Sequence, residues 1–305
     1  GFGCLRLLES VARAYTGEEE PPPATDLSRA RDVRGILETD DTRARAERFR
    51  ALADKVRDVV DAPCRVAAVR GEDRAGYGFV HRSLSAADTA ALSVPDGPTV
   101  NDVLMAALHR AVDGWNAEHG AGCRRVSVLM PVNLRPREWR QDVVTNMVLM
   151  TRVSSSRADR RSDGALLEAV CAQTQRIKRW GTGAALIEVL RGMPRLPLWA
   201  KQSLSPLLTL TGNRLVDTAI LTNLGELDEA PAFGEDAGRP RALWFSAPGR
   251  MPCGLSLGAV TVNGELDLSF RYRYPLLDGR AADRFADRYL DGLGRLAKEQ
   301  AAGAR

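Results

Sequence analysis

Hydrophobic positions recur at helical spacing from the first turn of the chain. Cys4, Leu5, Leu8, Val11, Ala12 and Tyr15 line one side of an α-helix predicted over residues 1–15. Charge and three prolines follow, Glu18-Glu19-Glu20-Pro21-Pro22-Pro23, and residues 16–32 read as a solvated, extended linker. Residues 42–60 read as a second helix with Phe49, Leu52, Ala53, Val56, Val59 and Val60 on its apolar side. Residues 77–84 alternate as a strand, and Ser85 is placed to cap a short helix reaching Leu92. The strongest helical pattern comes next: Val100, Val103, Leu104, Ala107, Leu108, Ala111, Val112 and Trp115. Thr99 precedes it, and its hydroxyl can accept a hydrogen bond from a free amide of the first turn. Glycines 120 and 122 end the unit.

Residues 126–134 form a nearly continuous apolar run, as in a strand buried on both faces. Pro131 inside it implies an edge or an irregularity, because proline donates no hydrogen bond. Arg135-Pro136 closes the run. Residues 143–153 form a similar strand interrupted by Asn146, an amide that is costly there unless hydrogen-bonded. Leu166, Leu167, Val170, Thr174 and Ile177 predict a helix over 163–180, and 184–211 hold one or two more, broken at Pro194 and Pro197. Residues 216–221 make a short strand ending in Thr222-Asn223-Leu224-Gly225, and residues 242–245 suggest another. Residues 255–262 and 265–272 flank Asn263-Gly264, a pair suited to the positive φ angles of a type I′ hairpin turn. A closing helix carries Ala282, Phe285, Ala286, Tyr289, Leu293 and Leu296 on one face. No internal repeat is visible. The order of elements is mixed rather than strictly alternating, so the fold class is α/β with a mixed (α+β) sheet, not a simple Rossmann sheet.

Composition narrows the function classes. The 305 residues are 44% hydrophobic and 27% charged, which suits a globular chain of one large or two ordinary domains. No apolar run reaches the roughly 18 residues of a membrane span, and no signal-peptide pattern opens the chain. Net charge is +4, and only four of the 43 basic residues are lysines (Lys55, Lys178, Lys201, Lys298). The arginines are interspersed with acids, so no basic block argues for nucleic acid. The five cysteines (Cys4, Cys64, Cys123, Cys171, Cys253) lack ligand or redox spacing and read as reduced, mostly buried thiols of a cytoplasmic protein. Three histidines, His81, His109 and His119, make a His-rich metal site improbable. There is no phosphate-binding glycine loop, no HExxH and no GxSxG.

Four stretches in order carry more. They are TVNDVL at 99–104; VLMPVNLR at 128–135 followed by Thr145-Asn146; TNLG at 222–225; and the ending SFRYRYPLLDGRAADRFADRYLDGL. Over residues 77–300 this series resembles the condensation-type acyltransferases. That chloramphenicol-acetyltransferase-like superfamily includes nonribosomal-peptide condensation domains and wax-ester/diacylglycerol acyltransferases. Residues 1–17, with their Leu7-Leu8 pair and Tyr15-Thr16-Gly17, are similar to the helix that follows the family's His-His-x-x-x-Asp-Gly motif. The resemblance implies that Gly1 is that motif's final glycine, that the catalytic histidine is not in this chain, and that the chain alone is inactive. Residues 1–75 would be the remainder of an amino-terminal half with its linker, and 76–305 the carboxyl-terminal half.

The resemblance also assigns roles. The second motif histidine would take a proton from an amine or hydroxyl nucleophile that attacks an acyl thioester on coenzyme A or a phosphopantetheinyl carrier protein, and the tetrahedral oxyanion would need waiting donors. Arg135 would pair with the motif aspartate and Asn146 would make a structural polar contact near the site. Asn101 and Asp102 would line the tunnel between the halves or fix its helix, and Thr222 and Asn223 would donate to the oxyanion or to the pantetheine arm. No metal or redox cofactor is implied. The expected partners are the missing fragment with the His-His-x-x-x-Asp motif, a carrier protein and a small-molecule acceptor. Two further readings stand beside this one: a non-catalytic condensation-like module that binds carrier proteins, and an acyl-CoA enzyme whose base is His81 or His109.

Overall fold

The computed structural model describes residues 2–19, 61–69, 75–133, 148–180, 216–227, 230–238, 240–249 and 251–303, together with residue 197 and a few helical residues between 42 and 53. Its centre is a six-stranded mixed sheet of β1 (Tyr77–Leu84), β2 (Arg125–Asn133), β3 (Val148–Ser156), β4 (Ala219–Leu227), β5 (Leu255–Val262) and β6 (Glu265–Arg273), in the order β1-β6-β5-β4-β2-β3. β2, β4 and β5 run parallel; β1–β6, β5–β6 and β2–β3 are antiparallel pairs. The described helices are α1 (Phe2–Thr16), α2 (Ala86–Ala90), α3 (Val100–Glu118), α4 (Asp163–Trp180) and α5 (Gly279–Gly303).

Helices α3, α4 and α5 cover one face of the sheet. Val126, Val128 and Met130 of β2, Ala219 and Leu221 of β4, Leu255, Leu257 and Ala259 of β5, and Leu266, Leu268 and Phe270 of β6 point into that core. They meet Leu104, Leu108 and Trp115 of α3, Leu166 and Val170 of α4, and Phe285, Tyr289 and Leu293 of α5. This is the period-two pattern of strands answering the 3.6-residue pattern of helices. The Tyr289 hydroxyl reaches the Leu104 carbonyl at 3.2 Å, which supplies the hydrogen bond that a fully buried phenol needs. Both α2 and α3 start at their expected caps: Ser85 accepts from the Asp88 amide, and Thr99 forms a reciprocal capping box with Asp102.

The opposite face is covered by an irregular strap, residues 240–249. The Ser256 hydroxyl donates to the Ala247 carbonyl at 2.8 Å, and the Leu243 amide to Asp267 Oδ2 at 3.0 Å. The strap lies so close to β5 that a Cβ on Gly258 would sit 2.5 Å from the Phe245 carbonyl oxygen. Residues 242–245, expected as a strand, are therefore a covering segment with no ladder of their own. α1 packs near the start of this side, where Tyr15 meets Phe233 edge-on at 5.8 Å.

Three other expectations shift. β4 does not stop before Thr222-Asn223-Leu224-Gly225 but continues through it with a bulge between Asn223 and Glu226, where Gly225 takes φ +82°. Cys64 and Cys123, expected as free thiols, are joined in a disulfide, while Cys4, Cys171 and Cys253 are free. Pro131 lies in an interior strand, and the sheet accommodates it. The Ser127 amide points toward β4, where it meets Thr218 Oγ1, so by alternation residue 131 also faces β4. The β2–β4 ladder holds only the pairs Val128–Ala219 and Leu129–Ile220 and ends before the proline, although both strands continue. Of the linker expected at 16–32, Thr16 is the last residue of α1 and residues 20–32 lie outside the described residues; so do the strand portion at 143–147, the helices at 184–211 apart from residue 197, and Arg135 and Asn146.

Candidate functional site

In a sheet with neighbouring parallel strands, ligands bind beyond the carboxyl ends of those strands. Here that edge is where β2 and β4 part company after Leu129 and Ile220. The amino end of α3 sits at this edge, because Asn101 Nδ2 lies 3.2 Å from Met130 Sδ near the end of β2. The bulged end of β4 reaches the same edge. Asn223 pairs with Ala259, whose side chain belongs to the helix-side core, so Asn223 shares that side with Met130. Thr222, one residue earlier, pairs with Gly258 and faces the strap side. The structure thus brings Asn101 and Asn223 to one side of one edge, and puts Thr222 on the other.

The chemistry available differs among these residues. Asn223 Oδ1 accepts from the Gly225 amide at 2.8 Å, which closes a turn and fixes the bulge. That bond uses the oxygen and leaves the amide nitrogen of Asn223 as a donor. Asp102 is almost fully buried, at 3% exposure, and its oxygens are occupied. Oδ2 accepts from the Thr99 amide (2.9 Å) and hydroxyl (2.7 Å), and Oδ1 from the Thr174 hydroxyl on α4 (2.7 Å). Of the two roles expected for Asp102, this geometry is that of fixing the helix. Cys171, close to Asp102, is held as a thiol: burial, with the nearby carboxylate, pushes its pKa up to about 11.

None of the three histidines is set up as a base at this edge. His109 is fully buried on α3, with Nδ1 2.7 Å from the Ser155 hydroxyl of β3. Burial, then the neighbouring Arg160 charge, lowers its pKa to about 3, so it is a neutral core residue. His119 Nδ1 lies 2.8 Å from the Trp115 carbonyl at the end of α3, the far end of the helix from Asn101. His81 lies on β1, the edge strand at the other side of the sheet, stacked with Phe79 (6.1 Å) and tilted against Trp244 (4.8 Å), and burial lowers its pKa.

Two polar clusters had no signal in the sequence. In the first, Arg160 reaches the Ser155 hydroxyl, the Cys123 carbonyl and Asp113, closing a network around His109. In the second, buried Asp217 accepts from Ser127 Oγ at 2.7 Å, and Ser154 donates to Ser127 Oγ at 3.0 Å. Apart from the Arg160–Ser155 contact, five positions apart, these links join residues 27 or more positions apart, so no local motif announces the clusters. Among the described residues no group of three or more His, Cys, Asp or Glu side chains is gathered to hold a metal ion, and no helix is long and apolar enough to cross a membrane.

No model of a known protein family matches the sequence. Single proteins do. The uncharacterized protein Rv2305 of Mycobacterium tuberculosis is 35% identical over 306 residues, covering 96% of this chain and 69% of the mycobacterial protein. Among solved structures, the epimerization domain from the third module of tyrocidine synthetase B superposes with a TM-score of 0.62 at 16% identity, over 100% of this chain and 67% of that one. The first condensation domain of the calcium-dependent antibiotic synthetase gives 0.60 at 15%, over 98% and 62%. Identities this low carry the fold alone. The chain belongs to the same family as the mycobacterial protein, and its fold is that of the condensation-type acyltransferases.

Proposed function

We propose that the chain is the carboxyl-terminal portion of a condensation-type acyltransferase. It moves an acyl group from a thioester, on coenzyme A or on a phosphopantetheinyl carrier protein, to an amine or hydroxyl of a small-molecule acceptor in the cytoplasm. The base is the second histidine of a His-His-x-x-x-Asp segment that these 305 residues do not contain. Residues 76–305 act as the carboxyl-terminal half of that enzyme and residues 1–75 belong to its amino-terminal half.

The observation that carries this reading is the gathering of Asn101, Met130 and Asn223 at the edge where β2 and β4 separate, in a fold shared with condensation domains. An acyl transfer needs a base, an orienting surface and donors for the oxyanion. In this reading the chain supplies the second and third at that edge. As the acceptor's nitrogen or oxygen attacks the thioester carbonyl, its proton passes to the imidazole and charge builds on the carbonyl oxygen. Collapse expels the thiolate, which recovers the proton. In this reading the Asn223 amide nitrogen donates to that oxygen or to the pantetheine amides, and Asn101 lines the approach.

The test is thiol release from acyl-coenzyme A and from an acyl carrier protein. The enzyme is this chain joined to a His-His-x-x-x-Asp segment, with amine and alcohol acceptors supplied. Turnover with one donor, reduced at least about tenfold by Asn223→Ala, supports the reading. Carrier binding without turnover of either donor overturns it in favour of a non-catalytic module.

A further inference from the structure

Residues 61–69 have no regular secondary structure, yet they are tied down along their length. The Cys64 amide donates to the Arg125 carbonyl and Thr218 Oγ1 to the Cys64 carbonyl. Asn116 grips both sides of residue 66: Nδ2 donates to the Arg65 carbonyl and Oδ1 accepts from the Ala67 amide, each at 2.8 Å. The Trp115 indole donates to the Ala67 carbonyl at 2.9 Å, and Arg65 Nη1 to the Val216 carbonyl at 2.7 Å. Val66 is inserted into the core. This segment lies under the last turn of α3 and the amino ends of β2 and β4, the ends opposite the candidate site.

Cys64 and Cys123 meet within this arrangement, their Cα atoms 5.3 Å apart across 59 positions of sequence. Cys123 is held in the α3–β2 turn, where its carbonyl accepts from Arg160. The pairing therefore rests on a fixed backbone on both sides. Cys64 is part-buried and Cys123 is buried, so Cys64 is the more exposed partner of the pair.

We propose that Cys64 and Cys123 form a redox-operated staple that clamps segment 61–69 to the α3–β2 turn. The oxidant is a low-molecular-weight disulfide of the glutathione type. The Cys64 thiolate attacks one of its sulfurs and releases one thiol. The Cys123 thiolate then displaces the second, so two protein thiols become one disulfide and the reagent becomes two thiols. In a reducing compartment the pair rests as thiols and closes under oxidation. Closure fastens the far ends of α3 and β4, which carry Asn101 and Asn223 at their other ends. The proposal does not depend on the acyl-transfer reading.

The experiment is thiol counting by alkylation and mass spectrometry under denaturant, before and after equilibration with oxidised glutathione, followed by peptide mapping and thermal melting. The oxidised chain is expected to show three alkylatable thiols (Cys4, Cys171, Cys253), a 64–123 cross-linked peptide and a melting temperature roughly 5–10 °C above the reduced chain. Amide exchange in 61–69 and the last turn of α3 is expected to slow on oxidation. The Cys64→Ser/Cys123→Ser double variant is expected to lose all redox dependence. Five thiols after oxidation, a different cross-link, or identical melting of the two forms would each overturn the proposal, and the first two readings need no variant to fold.

Discussion

The Thr174 hydroxyl on α4 donates to Asp102 on α3 at 2.7 Å, and the other oxygen of the same carboxylate caps α3 through Thr99. One buried side chain thus ends one helix and locks it to another. Asp102→Ala removes the acceptor of the Thr99 amide and the closer acceptor of the Thr174 hydroxyl, which keeps the Cys171 carbonyl at 3.1 Å, and it is expected to cost about 2–4 kcal/mol. Thr174→Val is expected to cost about 1 kcal/mol. In urea unfolding the double variant should be more stable than the sum of the two single losses, because both remove the same bond.

His109 makes stability depend on acid. Its pKa falls from 6.5 to about 3 on folding, so between those values the unfolded chain binds a proton that the folded chain refuses. Stability from this source is fully present above pH 6.5. It declines as pH falls through 6.5 toward 3, by about 1.4 kcal/mol per unit at the steepest. His109→Gln keeps a polar partner for Ser155 without the titration. Comparing the wild type and this variant by denaturant midpoints at pH 7 and pH 5 should show a smaller acid loss in the variant.

Gly258 reports on the strap. An alanine there would push its Cβ to 2.5 Å from the Phe245 carbonyl, a backbone atom that cannot swing away. Gly258→Ala is expected to lift residues 240–249 from β5 and to cost about 1–3 kcal/mol. It should also free the Leu243 amide from Asp267, seen as faster amide exchange at Leu243.

Gly225 tests the bulge at the candidate site. Its φ of +82° suits glycine, and a Cβ would meet no atom within 4 Å. Gly225→Ala therefore strains only the backbone, by about 1 kcal/mol. If the bulge positions Asn223, turnover in the joined enzyme should fall by more than stability, with kcat affected more than KM.

Much of the fold was legible because its elements carry strong local signals. β1, the capped start of α3, α4 and the Asn263-Gly264 hairpin all lie where spacing and caps put them. Asn263 and Gly264 take the positive φ angles the turn requires. β4 ran past its expected end because a bulge lets a strand absorb Asn-Leu-Gly, and local sequence cannot distinguish a bulge from a turn. The Cys64–Cys123 pairing was invisible because it depends on how segment 61–69 crosses under α3. At the candidate site, Asn101 and Asn223 were singled out by the family resemblance. Their placement on one side, with Thr222 on the other, follows from strand register, which composition does not encode.

The most direct test of the account compares thiol release from acyl thioesters by the 305-residue chain alone and by the chain joined to a segment carrying His-His-x-x-x-Asp. The account predicts no turnover by the chain alone and turnover by the joined protein that is lost when the second motif histidine becomes alanine. Turnover by the 305 residues alone, abolished by His81→Ala, would contradict it and place the base within this chain.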